Sequence, residues 1–336
     1  MKRFKNKILR CGFIILAGMT FLLFFLKFVE TIRQGAVALS IFNLFLLGGL
    51  ALVMKVEYTC YVSPKCEDCC LDKNDLFSAV AVVVGAFVCY VMSTDLGLGA
   101  VLSAGVVGML SVLVAPKYAV PAYCGAFVGM ASSELLPTHF HLLLAAVVAG
   151  AIFAAAKLSF NGFGGKLGTI AFTGCIVAAL LTGQSFLSAP VPTWDIGGLL
   201  IVYSILGAVI TRVFSIRLKH GAVMASSVVG LLGGLILPAL HPEVGSTLAV
   251  MVICASFAGM SSADRIPNEV SMAVAGLIAA LVFMFTSPYL GGAGGKLGTI
   301  AFGSVIALLW HSYEARNHLI SMKTWIKTRR IFNKTA

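Results

Sequence analysis

Charge is what this sequence has least of. Asp, Glu, Lys and Arg together make up 11% of its 336 residues, and only 13 of them are acids. A soluble domain is roughly a quarter charged, so a water-soluble fold of this composition would have too little polar surface to cover itself. Strict polar–apolar alternation is missing too, which excludes an outward-facing membrane β-barrel. There is no Gly-x-Ser-x-Gly, no His-Glu-x-x-His and no stretch polar enough for a soluble catalytic domain, so the chain reads as something other than an enzyme. No small-x-small site follows the first apolar run, where Lys27, Phe28 and Val29 stand instead. That run therefore reads as a retained helix rather than a cleaved signal. Cys11 precedes it, which does not suit a lipoprotein cysteine.

What is present is hydrophobicity, at 59%, arranged as apolar runs of about 17–20 residues between short polar loops. The runs predict about twelve helices: Cys11–Phe28, Ala36–Met54, Leu76–Met92, Leu98–Val114, Ala119–Ser133, His139–Ala156, Leu167–Phe186, Ile196–Val213, Gly221–Leu237, Thr247–Ser261, Val270–Phe285 and Leu297–Trp310. The expected fold is an all-α polytopic membrane protein. The runs at 119–133 and 247–261 are short for a full span, which suits broken or re-entrant segments. The 35 glycines suit close helix packing, and Trp194, Trp310 and Trp325 fall near predicted boundaries, as interfacial belt residues do.

The net charge of +11 is carried by loops and tails. With the N-terminus inside, the inner loops hold Lys55, Lys65, Lys73, Lys117, Lys157, Lys166, Arg212, Arg217, Lys219 and Arg265, against Arg33, with Lys27 near it, and Lys296 outside. Asp95, Glu134, Asp195 and Glu243 also fall outside. This asymmetry predicts a bacterial plasma (inner) membrane protein with both termini cytoplasmic. The positive excess reads as orientation signal and anionic-lipid contact, not nucleic-acid binding. The tail alternates Arg316, Lys323, Lys327, Arg329, Arg330 and Lys334 with Ile320, Trp325, Ile326 and Phe332. It reads either as a basic amphipathic segment on the inner membrane face or as a tail serving topology alone.

An internal repeat organises the chain. Cys124-Gly-Ala-Phe-Val-Gly-Met-Ala-Ser-Ser-Glu-Leu-Leu-Pro137 returns as Cys254-Ala-Ser-Phe-Ala-Gly-Met-Ser-Ser-Ala-Asp-Arg-Ile-Pro267, and Gly164-Gly-Lys-Leu-Gly-Thr-Ile-Ala-Phe172 returns unchanged as Gly294–Phe302. Both matches keep an offset of 130 residues, with about twenty identities over some fifty positions. Upstream, Val106-Val-Gly108 matches Val228-Val-Gly230 after a small length change. The layout is then two N-terminal helices with a Cys-rich loop (1–75), repeat 1 (76–190), repeat 2 (191–312) and the basic tail (313–336). Five spans per unit invert the second copy relative to the first, the pattern of alternating-access carriers. Four spans, with a re-entrant short helix, would leave the copies parallel.

Three sets of residues carry the functional expectation. Gly164, Gly165, Lys166 and Thr169, with Gly294, Gly295, Lys296 and Thr299, place glycines, a cation and a hydroxyl at a helix start, where partial positive charge favours an anion. Together with Ser132 and Ser262 they are the expected substrate-binding residues. The plainer alternative is a glycine hinge with lysines snorkelling to headgroups. The glycine and lysine spacing is not that of a nucleotide-binding loop. Glu134 and Asp264 follow the short helices and are candidates for ion coupling, or are loop carboxylates in water, with Arg265 beside Asp264 as a neutralising neighbour. Cys60, Cys66, Cys69 and Cys70 can hold zinc or form disulfides. Cys124 and Cys254 read as small packing groups, and His139 and His141 as interface residues. The expected function is a secondary carrier for a small polar or anionic solute. The alternatives are a channel-like pore or a non-transporting membrane component in lipid handling or complex assembly. Expected partners are membrane lipids, anionic ones at the tail, a solute or ion, and a second copy or another membrane component.

Overall fold

The computed structural model describes residues 2–62 and 72–310, with side chains described for 10–59 and 72–310. The tail, and Cys66, Cys69 and Cys70 with the side chain of Cys60, lie outside that description. Twelve helices and no strand are found among the described residues: α1 Lys2–Arg33, α2 Val37–Val62, α3 Lys73–Tyr90, α4 Ala100–Val114, α5 Ala119–Gly129, α6 His139–Ala155, α7 Lys166–Thr182, α8 Trp194–Arg212, α9 Ala222–Leu240, α10 Gly245–Gly259, α11 Glu269–Thr286 and α12 Lys296–Trp310. Each predicted run became one helix, with ends shifted by a few residues except in α1 and α2, which extend further. Six helices are long and apolar enough to cross a membrane, and five shorter ones are also apolar. The chain is an integral membrane protein by that measure. Its exposed surface carries many large apolar side chains, such as Leu76, Val114, Leu180 and Val270, which is the surface that lipid rather than water would contact.

The helix starts have local causes. Asp72 caps α3 reciprocally: its side chain accepts from the Asp75 backbone N–H, and the Asp75 side chain accepts from the Asp72 backbone N–H. The Asp75 N–H, and then the Asn74 side-chain amide, hold the Asp72 carboxyl below its usual range. Asn268 caps α11 by accepting from Ser271. Helix α5 has 11 residues; at about 1.5 Å per residue it falls well short of a hydrocarbon core of about 30 Å. The expectation of a short segment here matches the helix found.

Helices α3 to α7 and α8 to α12 have matching local anomalies. A π-helical turn follows α3 at Val91–Asp95 and another follows α8 at Val213–Arg217. Gly99 (φ 79°, ψ 158°) precedes α4, and Gly221 (φ 81°, ψ 158°) precedes α9, a backbone conformation that only glycine adopts without strain. Before α7 the residues with positive φ are Phe160, Gly162 and Gly165; before α12 they are Leu290, Gly292 and Gly295. The packing partners also correspond, α3 with α5 and α6, and α8 with α10 and α11, while α4 packs across on α9. The N-terminal pair lies against this body. Gly12 of α1 meets the backbone of Ala155, and Phe24 covers Gly303 of α12.

Packing density is set by glycines at helix crossings. A Cβ on Gly125 would lie 1.9 Å from the Val82 carbonyl oxygen, and one on Gly85 would lie 2.1 Å from that of Ala122. These two contacts lock α3 to α5. On α8, Gly198 has nothing within 4 Å of an added Cβ. Gly125→Val is therefore expected to destabilise the protein by about 1–3 kcal/mol, and Gly198→Ala to leave it unchanged or raise it by up to about 1 kcal/mol. Thermal unfolding in detergent measures both; equal melting temperatures would contradict this packing.

Candidate functional site

The two Gly-Gly-Lys elements meet each other. An added Cβ on Gly168 would lie 2.4 Å from the Cα of Gly298, and one on Gly298 would lie 2.5 Å from the Cα of Gly168. On either side of this point Gly165 faces Phe302, and Gly295 faces Phe172. The contacts run in opposite directions along α7 and α12, so the two helix starts cross antiparallel with their backbones touching. A side chain at the crossing would push the helices apart, which accounts for glycine at each of these positions.

The turns before the helices are held by the other repeat. Ser262 N–H donates to the Gly162 carbonyl at 2.9 Å, and Ser132 N–H donates to the Gly292 carbonyl at 2.9 Å. Within each repeat, Cys124 Sγ donates to the Leu167 carbonyl at 3.3 Å and Cys254 Sγ to the Leu297 carbonyl at 3.2 Å. The cysteines do fill space among apolar neighbours, and they also satisfy one carbonyl at each helix start. Phe127 and Phe257, equivalent positions in the two repeats, pack at a tilt of 48° with ring centroids 4.4 Å apart. Gly164 N–H donates to Ser261 Oγ at 3.0 Å.

A cavity lies beside each helix start. One, of about 320 Å³, is lined by the 160–167 turn, by Phe153, Ile170 and Phe127, by Phe257 of α10 and Met260 just past its end, and by Ala222 and Val223 of α9. The other, of about 510 Å³, is lined by Lys296, Leu297 and Ile300, by the 130–133 turn, by Ser93 and Thr94, and by Ala100 and Val101 of α4. Equivalent residues recur in the two linings: Lys166 and Lys296, Ile170 and Ile300, Met260 and Met130, Val223 and Val101. Helix α7 presents Lys166, Leu167 and Ile170 to the first cavity and Gly165 and Gly168 to α12. Helix α12 presents Lys296, Leu297 and Ile300 to the second and Gly295 and Gly298 to α7. The α7–α12 crossing is thus a wall between them.

The equivalent lysines differ in what holds them. Lys296 Nζ donates to the Thr286 carbonyl at 2.7 Å and the Tyr289 carbonyl at 2.5 Å, placing its charge at the C-terminal end of α11, where carbonyls lack helical partners. This explains a lysine in a place where loop charge alone would not put one. Lys166 Nζ has a single hydrogen-bond partner among the described residues, Asn161 Oδ1 at 3.2 Å. Thr169 is fully buried and its hydroxyl has no partner among the described residues, whereas Thr299 makes a long bond of 3.5 Å to the Gly295 carbonyl. Gly164, Gly165, Gly294 and Gly295 are buried, and Ser132 and Ser262 are half-buried. Of these expected binding residues, Ser132 lines the second cavity and Ser262 does not line the first.

Glu134 and Asp264 are both exposed and line neither cavity. Their surroundings fit loop carboxylates. Arg265 makes a bidentate pair with Glu57 of α2, at 2.5 and 3.2 Å. It also donates to the Asn161 carbonyl at 3.1 Å and lies 4.2 Å from the centre of the Phe163 ring. At the other mouth Leu187 and Gly291 exchange two backbone hydrogen bonds, and Tyr289 donates to Glu30 at 2.8 Å. Burial, and then the bond to Glu30, raise the Tyr289 phenol above its usual value. His139 packs on Phe87 and Tyr90, and His141 bonds Thr138 and Gln184. No group of three or more metal-ligating side chains occurs among the described residues.

Glu57, Asn161 and Ser261, together with Phe160 and Phe163, are site residues that a reading of the sequence passes over. All five differ between the repeats or lie outside them, so comparing the copies gives no signal for them. Comparisons with protein families, with curated proteins and with solved structures found no match.

The unequal bonding of the two lysines predicts unequal stability effects. Lys296→Met leaves two carbonyls of the α11 end without their charged donor and is expected to cost about 2 kcal/mol or more. Lys166→Met should cost less than half of that. Melting temperatures of the two variants in detergent, measured side by side, check the ranking; the reverse order would contradict these assignments.

Proposed function

We propose that the chain is a secondary carrier for a small polar or anionic solute, working by alternating access between two inverted five-helix repeats. The observation that carries this reading is the antiparallel crossing of equivalent helix starts at Gly168 and Gly298, with a related cavity on each side. Two copies related in this way can exchange conformations, so that opening one cavity closes the other. The reciprocal bonds of Ser262 to Gly162 and Ser132 to Gly292 support it, since each repeat grips the turn that lines the other's cavity. The wall between the cavities favours a carrier over an open pore. Lys166, at a helix start and held by one amide, is the residue best suited to meet an anionic group. Lys296 combines that position with a structural bond. Exposed Glu134 and Asp264 are left out of the coupling role.

Reconstitution into liposomes with a panel of solutes and ions tests the activity. Wild type is expected to show saturable uptake, and Lys166→Ala to lower it at least ten-fold with the fold intact. Uptake unchanged in both Lys166→Ala and Lys296→Ala would sink the site. Inversion has its own test in a cysteine-free background with Glu134→Cys and Asp264→Cys, which are equivalent and exposed. An impermeant thiol reagent should label Asp264→Cys from the cytoplasmic face and Glu134→Cys from the opposite face; labelling of both from one face would refute it.

A further inference from the structure

We propose that the smaller cavity takes a singly charged organic anion with an apolar body, such as an aryl or alkyl carboxylate or sulfonate, rather than an inorganic oxyanion. The inference rests on the carrier reading of the same site and narrows its cargo.

Two features of the lining point there. The first is the charge count. Three cations stand near the cavity, and two are already matched: Lys157 by Asp75 at 2.7 Å, and Arg265 by Glu57. Lys166 is left with a neutral amide partner, at the positive end of α7. One ammonium and a helix start balance one negative charge, not two.

The second is what surrounds that charge. Five phenylalanines, Phe127, Phe153, Phe160, Phe163 and Phe257, line the cavity with Ile170 and Met260. A small hydrated anion entering this space would lose its water against rings that return no hydrogen bonds. An anion with its own apolar body places that body on the rings and only its head at Lys166, Asn161 and the α7 start. Most ligand sites divide in this way, into an apolar wall and a few polar groups that fix orientation. The contrast with the other cavity is informative. There Ser93, Thr94, Ser132, Ser133 and Ser287 supply hydroxyls and Lys296 is already bonded, so that side suits a hydrated approach and the smaller cavity a desolvated hold.

The test uses the full chain in non-ionic detergent and in liposomes. Benzenesulfonate is the probe, because it stays ionised and does not cross the bilayer as a neutral acid. Its neutral isostere benzenesulfonamide removes the charge, and sulfate and chloride remove the apolar body. Calorimetry is expected to give benzenesulfonate an affinity at least ten-fold above all three. Lys166→Gln should lose at least ten-fold of that affinity, and Lys166→Arg should regain it. The comparison of ligands on wild type stands even if a variant fails to fold. Tighter, Lys166-dependent binding and uptake of sulfate or chloride would overturn this inference and leave the carrier reading intact. Equal benzenesulfonate binding in wild type and in folded Lys166→Gln would also overturn it. Binding without uptake would support the site and overturn the carrier reading. Neither binding nor uptake of any anion would overturn both.

Discussion

Two backbones touch at Gly168 and Gly298, and the arrangement of the rest depends on that contact. Each helix start can come this close only because neither carries a side chain there. The antiparallel approach then brings each glycine turn beneath the serine turn of the other repeat, where Ser262 and Ser132 supply a backbone N–H to the Gly162 and Gly292 carbonyls. Where water is scarce, such a carbonyl needs a partner from the protein itself. The same contact fixes where the cavities lie, one on each side of the crossing.

The two halves share a backbone scheme but not a chemistry. Where Tyr90 lies against His139 near the end of α3, Arg212 and Arg217 face Glu269 at the matching end of α8. Where Arg265 reaches Glu57 and Asn161 at one mouth, Leu135 is fully buried at the other. The closer ion pairs, of Lys157, Arg217 and Arg265, gather at one end, while the other holds the looser Arg33–Glu30 pair at 4.0 Å and the carbonyl-bound Lys296. The N-terminal helices add to this difference, since Phe13 stacks on Phe160 at 4.4 Å while Glu30 takes Tyr289 at the opposite end. A duplicated scaffold with unequal fastenings can have two end states of unequal stability, and a carrier that binds cargo on one side and releases it on the other makes use of such a difference.

Much of this was legible in the sequence. Apolar runs located all twelve helices, because a helix among apolar neighbours is specified mainly by its own length and composition. The unchanged nine-residue element located both helix starts, because glycine and lysine were constrained there in both copies. Its glycines identified a close approach but not the partner. The lysines looked alike and proved unlike, since their difference lies in the carbonyls and amide they reach. Glu134 and Asp264 matched in sequence, yet only their exposure separates a loop carboxylate from a buried one.

The sequence by itself determined the helices, their number and the repeated elements, because each of these depends on composition and on spacing along the chain. Only the tertiary structure decided that the two elements cross each other, that Lys296 is a bonded cation and Lys166 a nearly free one, and that five phenylalanines surround the latter. The crossing depends on a contact between residues 130 positions apart, Gly168 and Gly298, and the lysine bonds, though only 5 to 10 positions long, depend on how the turn before each helix is folded. No periodicity along the chain encodes them; they arise when glycine-lined helices close on one another.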